Sequence, residues 1–245
     1  MHWFFRWLPE NVSTYGADID GLFHTIYWIT CVTFLLVMVL LVLFLFLYRR
    51  REGRKAVYSH GNNTLEIIWT VVPALILVWL TFRSEALWTR VRGPLPPGDV
   101  SVVVAGKQFN WYFYYPGPDG KLDNHGGEAA SDDVEVVNQL DVPVNKVIRA
   151  SLQSKDVIHS FFLPNCRMKQ DTVPGRSIEI WFEVTKPGKY EIACAELCGF
   201  GHATMKGTLV VHDDASWARW LKEHPNAFPA PDPKPAILRK SEATP

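Results

Sequence analysis

Residues 194–205 read Cys-Ala-Glu-Leu-Cys-Gly-Phe-Gly-His-Ala-Thr-Met, a Cys-x3-Cys-x3-His-x2-Met run, and His159 lies one strand and one hairpin upstream. Thiolate, imidazole and thioether are the soft and borderline ligands that suit copper, and a mononuclear electron-transfer copper uses one Cys, two His and a weak axial Met. One of Cys194 and Cys198 is therefore surplus to such a site. Three readings account for it: a Cys194–Cys198 disulfide, a tetrahedral zinc bound by both cysteines, His159 and His202, or a two-copper centre bridged by both sulfurs. The zinc reading leaves Met205 without a role, because zinc seldom takes a thioether. In the two-copper reading each metal takes one histidine, and Met205 and a backbone carbonyl act as weak outer ligands.

These residues resemble the CuA centre of cytochrome c oxidase subunit II. The resemblance implies two copper ions held by His159, Cys194, Glu196 through its main-chain carbonyl, Cys198, His202 and Met205. It also implies that the Glu196 carboxylate helps hold a magnesium ion shared with oxidase subunit I. His125, His212 and His224 lack a partner set and read as ordinary surface or core histidines. Cys166 reads as a structural thiol. Without a Cys-x-x-Cys-His motif, no fused c-type haem is expected in this chain.

The chain that must position this cluster has 245 residues, room for one or two domains, and a formal net charge of zero, so nothing points to a nucleic-acid partner. Four cysteines at 31, 166, 194 and 198 make no disulfide framework. Ten tryptophans, several at the ends of apolar segments, suggest membrane-interface belts.

Residues 1–24 are mixed in character and read as a leader on the outer side, unlike a signal-peptide core. A transmembrane hairpin is expected over 25–92. Residues 26–48 run for 23 positions without a charge, enough to cross a hydrocarbon core of about 30 Å. Arg49, Arg50, Arg51, Arg54 and Lys55 follow, which places the loop 49–63 in the cytoplasm and the N-terminus outside. The second helix, about 64–88, carries Glu66 and Pro73, both tolerable at a membrane boundary or within a span. Two spans return the chain to the outer side, although Arg90 and Arg92 then lie there against the charge rule.

Residues 65–73, Leu-Glu-Ile-Ile-Trp-Thr-Val-Val-Pro, are similar to the second-helix motif of the same family. That resemblance puts Glu66 at the entrance of a proton channel that continues into subunit I. A carboxylate at the edge of a span is a functional candidate by default, and a simple cap of the helix start is the competing role.

Beyond the Pro/Gly stretch 93–98 the pattern becomes β. Short β-branched or aromatic runs at 102–105, 111–115, 134–138, 146–152, 158–163, 178–184, 189–194 and 208–212 are separated by turn residues. They predict an all-β Greek-key, cupredoxin-like domain over 98–214, joined to the two-helix transmembrane hairpin. Residues 115–133 read as a long polar loop. A short helix and a Pro-rich tail are expected over 215–245.

Residues 106–115 resemble the aromatic electron-entry segment of the family, with one departure. Trp111 matches, whereas Phe109 stands where the family has an exposed tryptophan. The departure suggests a dedicated cytochrome c as donor, membrane-bound or attached to a complex. Asp119, Asp123, Asp132, Asp133 and Asp156 either form an acidic docking rim or merely solvate their loops.

The expected function is therefore subunit II of a terminal haem-copper oxidase. It would accept electrons from cytochrome c and pass them to haem in subunit I, alongside subunit III, for oxygen reduction coupled to proton pumping. The expected site is the lipid bilayer of a bacterial inner membrane, with the copper domain on the periplasmic side. A quinol oxidase subunit II would lack the copper ligands, and a nitrous oxide reductase would lack this anchor. A membrane-anchored copper carrier or chaperone is the alternative from another class.

Overall fold

In a computed structural model, the described residues are 8–55, 58, 60–122 and 132–228. Asp123, His125 and the Pro-rich stretch from Pro229 onward lie outside them.

The chain divides into two compact units, 15–94 and a second made of 1–14 with 95–245. The first unit is a pair of helices, α1 (Gly16–Leu47) and α2 (Asn63–Arg92). At 1.5 Å per residue these are about 48 and about 45 Å long, each more than a bilayer core requires. The apolar stretches of both are uncovered by the rest of the protein. Side chains from Val32 to Tyr48 remain exposed, as do Ile67, Ile68, Leu75, Leu77 and Val78. Water is a poor neighbour for such surfaces, and hydrocarbon is the solvent that suits them. The Arg54 guanidinium donates to the Leu47 carbonyl at the end of α1. Asn62 caps α2 by accepting from the Leu65 N–H at 3.1 Å. α1 starts ten residues before the uncharged run that predicts it, because Gly16–Thr25 continues the helix in polar sequence. Asp18 of α1 and Arg90 of α2 form an ion pair, which gives the outer-side arginine a local partner.

The second unit is a sandwich of two five-stranded sheets. Its strands are β1 (Val100–Lys107), β2 (Asn110–Tyr115), β3 (Val134–Val137), β4 (Gln139–Pro143) and β5 (Val147–Ser154) in the first half. They are followed by β6 (His159–Leu163), β7 (Met168–Thr172), β8 (Ile178–Glu183), β9 (Gly188–Cys194) and β10 (Lys206–His212). One sheet has the order β3-β2-β1-β5-β8 and the other β4-β10-β9-β6-β7. Neighbours pair antiparallel except β1 with β5 and β10 with β4. Fully buried Trp111, Phe113, Leu140, Ile148, Leu152, Phe161, Phe182 and Ile192 fill the space between the sheets. Trp111 of one sheet meets Phe161 of the other edge-on, with centroids 5.3 Å apart.

The strand expected over 134–138 is the first half of a longer run that changes sheet. Asn138 has φ 58°, a left-handed turn that an Asn tolerates, and β3 and β4 on either side of it belong to different sheets. Its side chain holds the corner: Oδ1 accepts from the Trp111 N–H at 2.8 Å and Nδ2 donates to Asn110 Oδ1 at 2.7 Å. β7, reading Met-Lys-Gln-Asp-Thr, is too polar to announce itself by pattern.

Residues within the expected leader join this unit. The Val12 N–H donates to the Asn165 carbonyl at 2.9 Å and the Val12 carbonyl accepts from the Thr185 N–H at 2.7 Å. Ser13 pairs with Val184, and its hydroxyl donates to the Cys166 carbonyl at 3.0 Å. At the other end, α3 (Asp214–Glu223) is capped by Asp213 and packs Trp220 against Tyr115, centroids 5.0 Å apart.

Candidate metal centre

The sandwich places Cys194 as the last residue of β9 and Met205 just before β10, so the intervening loop must turn within eleven residues. A 3-10 turn, His202–Thr204, closes it. β6 pairs with β9 in a register that sets Phe161 opposite Cys194. His159 at the start of β6 is thereby carried to the same end of the sheet.

The donors converge in two pairs around two sulfurs. Cys194 Sγ and Cys198 Sγ lie 3.8 Å apart and are not joined. His159 Nδ1 faces Cys194 Sγ at 4.0 Å, and His202 Nδ1 faces Cys198 Sγ at 3.8 Å. Met205 Sδ lies 3.7 Å from Cys198 Sγ, and the Glu196 carbonyl lies 3.3 Å from Cys194 Sγ. His159, Cys194 and Cys198 hold their ligand atoms within 4.8 Å of one another. The donor set would suit soft metal, with both sulfurs central to it. Each sulfur has one imidazole and one weaker donor beside it, the Glu196 carbonyl by Cys194 and the Met205 thioether by Cys198. A single tetrahedral ion would leave Met205 and the Glu196 carbonyl as surplus donors.

Most of the donors are shielded from water, His202 being only half-buried. His159 is fully buried, and Cys194, Cys198 and Met205 are nearly so. Without metal, desolvation and then the neighbouring Cys194 push the Cys198 thiol up to about 11. Metal binding must therefore displace a tightly held proton.

The outer ring of contacts starts with Asp156. Its Oδ1 lies 2.8 Å from His159 Nε2, which leaves Nδ1 as the atom turned to the sulfurs. Its Oδ2 accepts from the Gln108 N–H at 2.7 Å, and Gln108 Nε2 in turn donates to the Cys198 carbonyl at 2.5 Å. Partial burial raises the Asp156 pKa, but the bonds from Gln108, His159 and Val157 outweigh it, and the carboxyl titrates below its ordinary value. Asp156 is thus turned inward as a partner of a ligand, and it is not a free member of an acidic rim. The Asp-x-x-His spacing was the available signal.

The two aromatic positions of the β1–β2 hairpin part ways. Trp111 is fully buried, edge-on to His159 with centroids 6.0 Å apart. Phe109 is half-buried, and its ring lies over the ligand loop. A Cβ placed on Gly201 would come within 2.6 Å of Phe109 Cγ, and one on Gly199 within 3.2 Å of Cε1. Gly106 gives similar close access on the other side, where a Cβ would meet His159 Cδ2 at 2.7 Å.

The Glu196 side chain is exposed, separate from its carbonyl, which faces Cys194. Glu66 is exposed in the first turn of α2, with Oε1 close to Gly61. Cys166 is buried, and desolvation pushes its thiol up to about 12, consistent with an inert structural thiol. His212 is bound to buried Asp141 at 2.7 Å, and His224 stacks on Trp220 with centroids 4.3 Å apart.

Two family models match the chain. That for the periplasmic domain of cytochrome c oxidase subunit II covers residues 100–212, and that for its transmembrane domain covers 2–87. A cytochrome c oxidase subunit 2 of Cereibacter sphaeroides is 32% identical over 237 residues, 86% of this chain and 77% of that protein. An alternative cytochrome c oxidase subunit 2 of Bradyrhizobium diazoefficiens is 28% identical over 239 residues, 91% of this chain and 86% of that one. Among solved structures, the periplasmic domain of subunit II of the Bradyrhizobium japonicum cytochrome oxidase is 34% identical. It covers 53% of this chain and 96% of that one, with a TM-score of 0.45. Two apolar helices and a metal-site sandwich, each matched by its own family model, make this chain a membrane-anchored member of the cytochrome c oxidase subunit II family with an outer-side domain of the CuA type.

Proposed function

We propose that this chain is the electron-entry subunit of a terminal haem-copper oxidase, with His159, Cys194, the Glu196 carbonyl, Cys198, His202 and Met205 holding a two-copper CuA centre. The observation that carries this reading is the pairing of each cysteine sulfur with its own imidazole, at 4.0 and 3.8 Å, around sulfurs 3.8 Å apart. Copper, when bound, supplies one-electron chemistry. The protein fixes the ligand positions, keeps water out with the buried His159–Trp111–Phe161 cluster, and orients His159 through Asp156.

Electrons arrive from cytochrome c and leave to haem in subunit I, where oxygen is reduced and protons are pumped; subunit III completes the assembly. The relatives' names as cytochrome c oxidase subunits support this assignment. Their bacterial origin supports a bacterial inner membrane with the copper domain on the periplasmic side. The exposed Glu196 carboxylate is free of the copper role and suits a hard magnesium ion shared with subunit I. Glu66, exposed at the first turn of α2, stands at the mouth of a proton path into subunit I. Phe109 in place of tryptophan favours a dedicated donor, a cytochrome c bound to the membrane or to a complex. Phe109→Trp should raise turnover with a small soluble cytochrome c; unchanged turnover would remove this position as the limit on entry.

Metal content and electron paramagnetic resonance of the full chain loaded with copper test the central claim. Two coppers per chain sharing one unpaired electron support it. One copper with a mononuclear spectrum, or zinc alone, would sink it and bring forward the copper carrier.

A further inference from the structure

Between Glu196 and Thr204 the ligand run has little to hold it to the sandwich. Its own bonds are internal: the His202 N–H donates to the Gly199 carbonyl at 3.1 Å, and the Thr204 N–H to the Gly201 carbonyl at 3.0 Å. Among the described residues, one hydrogen bond ties this stretch to the domain outside the run, from Gln108 Nε2 to the Cys198 carbonyl at 2.5 Å. A carbonyl can only accept, so the amide nitrogen of Gln108 is the atom that faces it.

Gln108 is itself anchored. It lies exposed in the turn between β1 and β2, and its backbone N–H donates to Asp156 Oδ2 at 2.7 Å. The other oxygen of that carboxylate lies 2.8 Å from His159 Nε2. A chain of three contacts therefore runs from His159 through Asp156 and Gln108 to Cys198, and no link of it needs a metal. The loop backbone is shaped to admit the last link. A Cβ on Gly199, where φ is +139°, would come within 2.8 Å of Gln108 Nε2. The sulfurs behind this tie are nearly buried, Cys194 at 8% and Cys198 at 4% exposure, so metal enters or leaves only when the loop moves.

Resting on the copper reading above, we infer that Gln108 is a positioning residue that latches the ligand loop to the β1–β2 turn. Through the Cys198 carbonyl it holds Cys198 and His202 in place against Cys194 and His159, and its release opens the site to metal exchange. A latch that closes the loop with or without metal raises the barrier in both directions. Its loss should therefore speed copper release and copper uptake together and leave affinity nearly unchanged. A group that stabilised the bound form alone would slow release without slowing uptake.

The test uses the full chain with Gln108→Met, which keeps the length of the side chain and removes the donor, and Gln108→Lys, which keeps a donor. Both changes fall at an exposed turn position, outside the core between the sheets. Copper release to an excess of chelator and uptake of added copper are followed by the copper optical bands, beside the electron paramagnetic resonance spectrum and thermal unfolding. The methionine variant should release and take up copper about three- to tenfold faster, the factor that one hydrogen bond supplies. The lysine variant should return both rates toward the parent, and both variants should unfold at the parent's temperature. Unchanged rates in the methionine variant would overturn the inference. Faster release with unchanged uptake would overturn it too, by making Gln108 a stabiliser of the bound form alone. A parent chain without the two-copper spectrum would sink the copper reading and the latch with it.

Discussion

Asp156 Oδ1 lies 2.8 Å from Nε2 of His159, a ring that is fully buried and whose other nitrogen faces Cys194. This contact fixes which nitrogen is left for metal, and it strengthens the imidazole as a donor. The same carboxylate holds the backbone N–H of Gln108, so one acid organises a metal ligand and the segment that carries Phe109.

Asp156→Asn keeps the shape and removes the charge. Copper affinity should fall by about 10- to 100-fold, the range that outer partners of metal ligands command, and the copper optical bands should shift. Metal titration of the full chain followed optically measures both. Affinity and bands equal to the parent would show that the carboxylate charge does not tune His159.

Gly106 is the second point at which the β1–β2 hairpin touches the site. A Cβ there would fall 2.7 Å from His159 Cδ2 and 3.0 Å from Cγ, a side chain already at zero exposure with no room to retreat. Gly106→Ala should displace the ring, lower copper occupancy and destabilise the domain by about 1–3 kcal/mol, the usual cost of overpacking. Copper content and denaturant unfolding of the variant decide it. Full occupancy with unchanged stability would mean that β1 moves away freely.

The part of the site legible in the sequence was the part held in one loop. Cys194, Cys198, His202 and Met205 are close in the chain, so their spacing alone brings their side chains together. His159 was legible by residue type, but its arrival depends on the β6–β9 register. Asp156 read as one more surface acid because spacing does not say which way a carboxylate turns. The sandwich followed from alternating apolar runs. Its corner at Asn138 and its polar strand β7 did not, because a single left-handed residue and a strand held by backbone bonds leave no hydrophobic period. The attachment of Val12 and Ser13 escaped for the same reason: main-chain bonds to Asn165 and Thr185 need no particular side chain.

The Cys198 thiol, raised by desolvation and by Cys194 from 9.0 to about 11, predicts two opposite responses to pH. A group with a raised folded-state pKa stabilises the metal-free fold below its ordinary value, and that contribution is lost as pH rises through the folded value. Thermal unfolding of the metal-free chain should therefore occur at progressively lower temperature between pH 9 and about 11. Buried Cys166, raised to about 12, acts in the same direction. Copper uptake goes the other way. The metal takes the thiolate and releases its proton, so apparent affinity should rise about tenfold per pH unit for each thiol proton released. Proton release counted during metal titration in weak buffer checks this; uptake without release would mean that the thiols are already ionised.

His212 lies at the end of β10 remote from Met205, where Nε2 is 2.7 Å from Oδ1 of Asp141. Asp141 is only 1% exposed, and its other side-chain partner is Gln139 Nε2 at 2.9 Å. Its backbone is bound in both directions to the Tyr115 hydroxyl, which donates to the Asp141 carbonyl at 3.0 Å and accepts from its N–H at 2.7 Å. Removing the imidazole strands a buried carboxylate with one neutral donor, the situation in which breaking a buried pair costs most. His212→Ala should lower stability by about 3 kcal/mol. Asp141→Asn in the same background should recover part of the loss, because a neutral amide is cheaper to bury than an unpaired charge. Neither change should alter the copper spectrum, since this network and the metal loop occupy opposite ends of β10. A stability loss below about 0.5 kcal/mol would mean that Gln139 alone satisfies Asp141, and an altered copper spectrum would mean that β10 transmits the change to Met205.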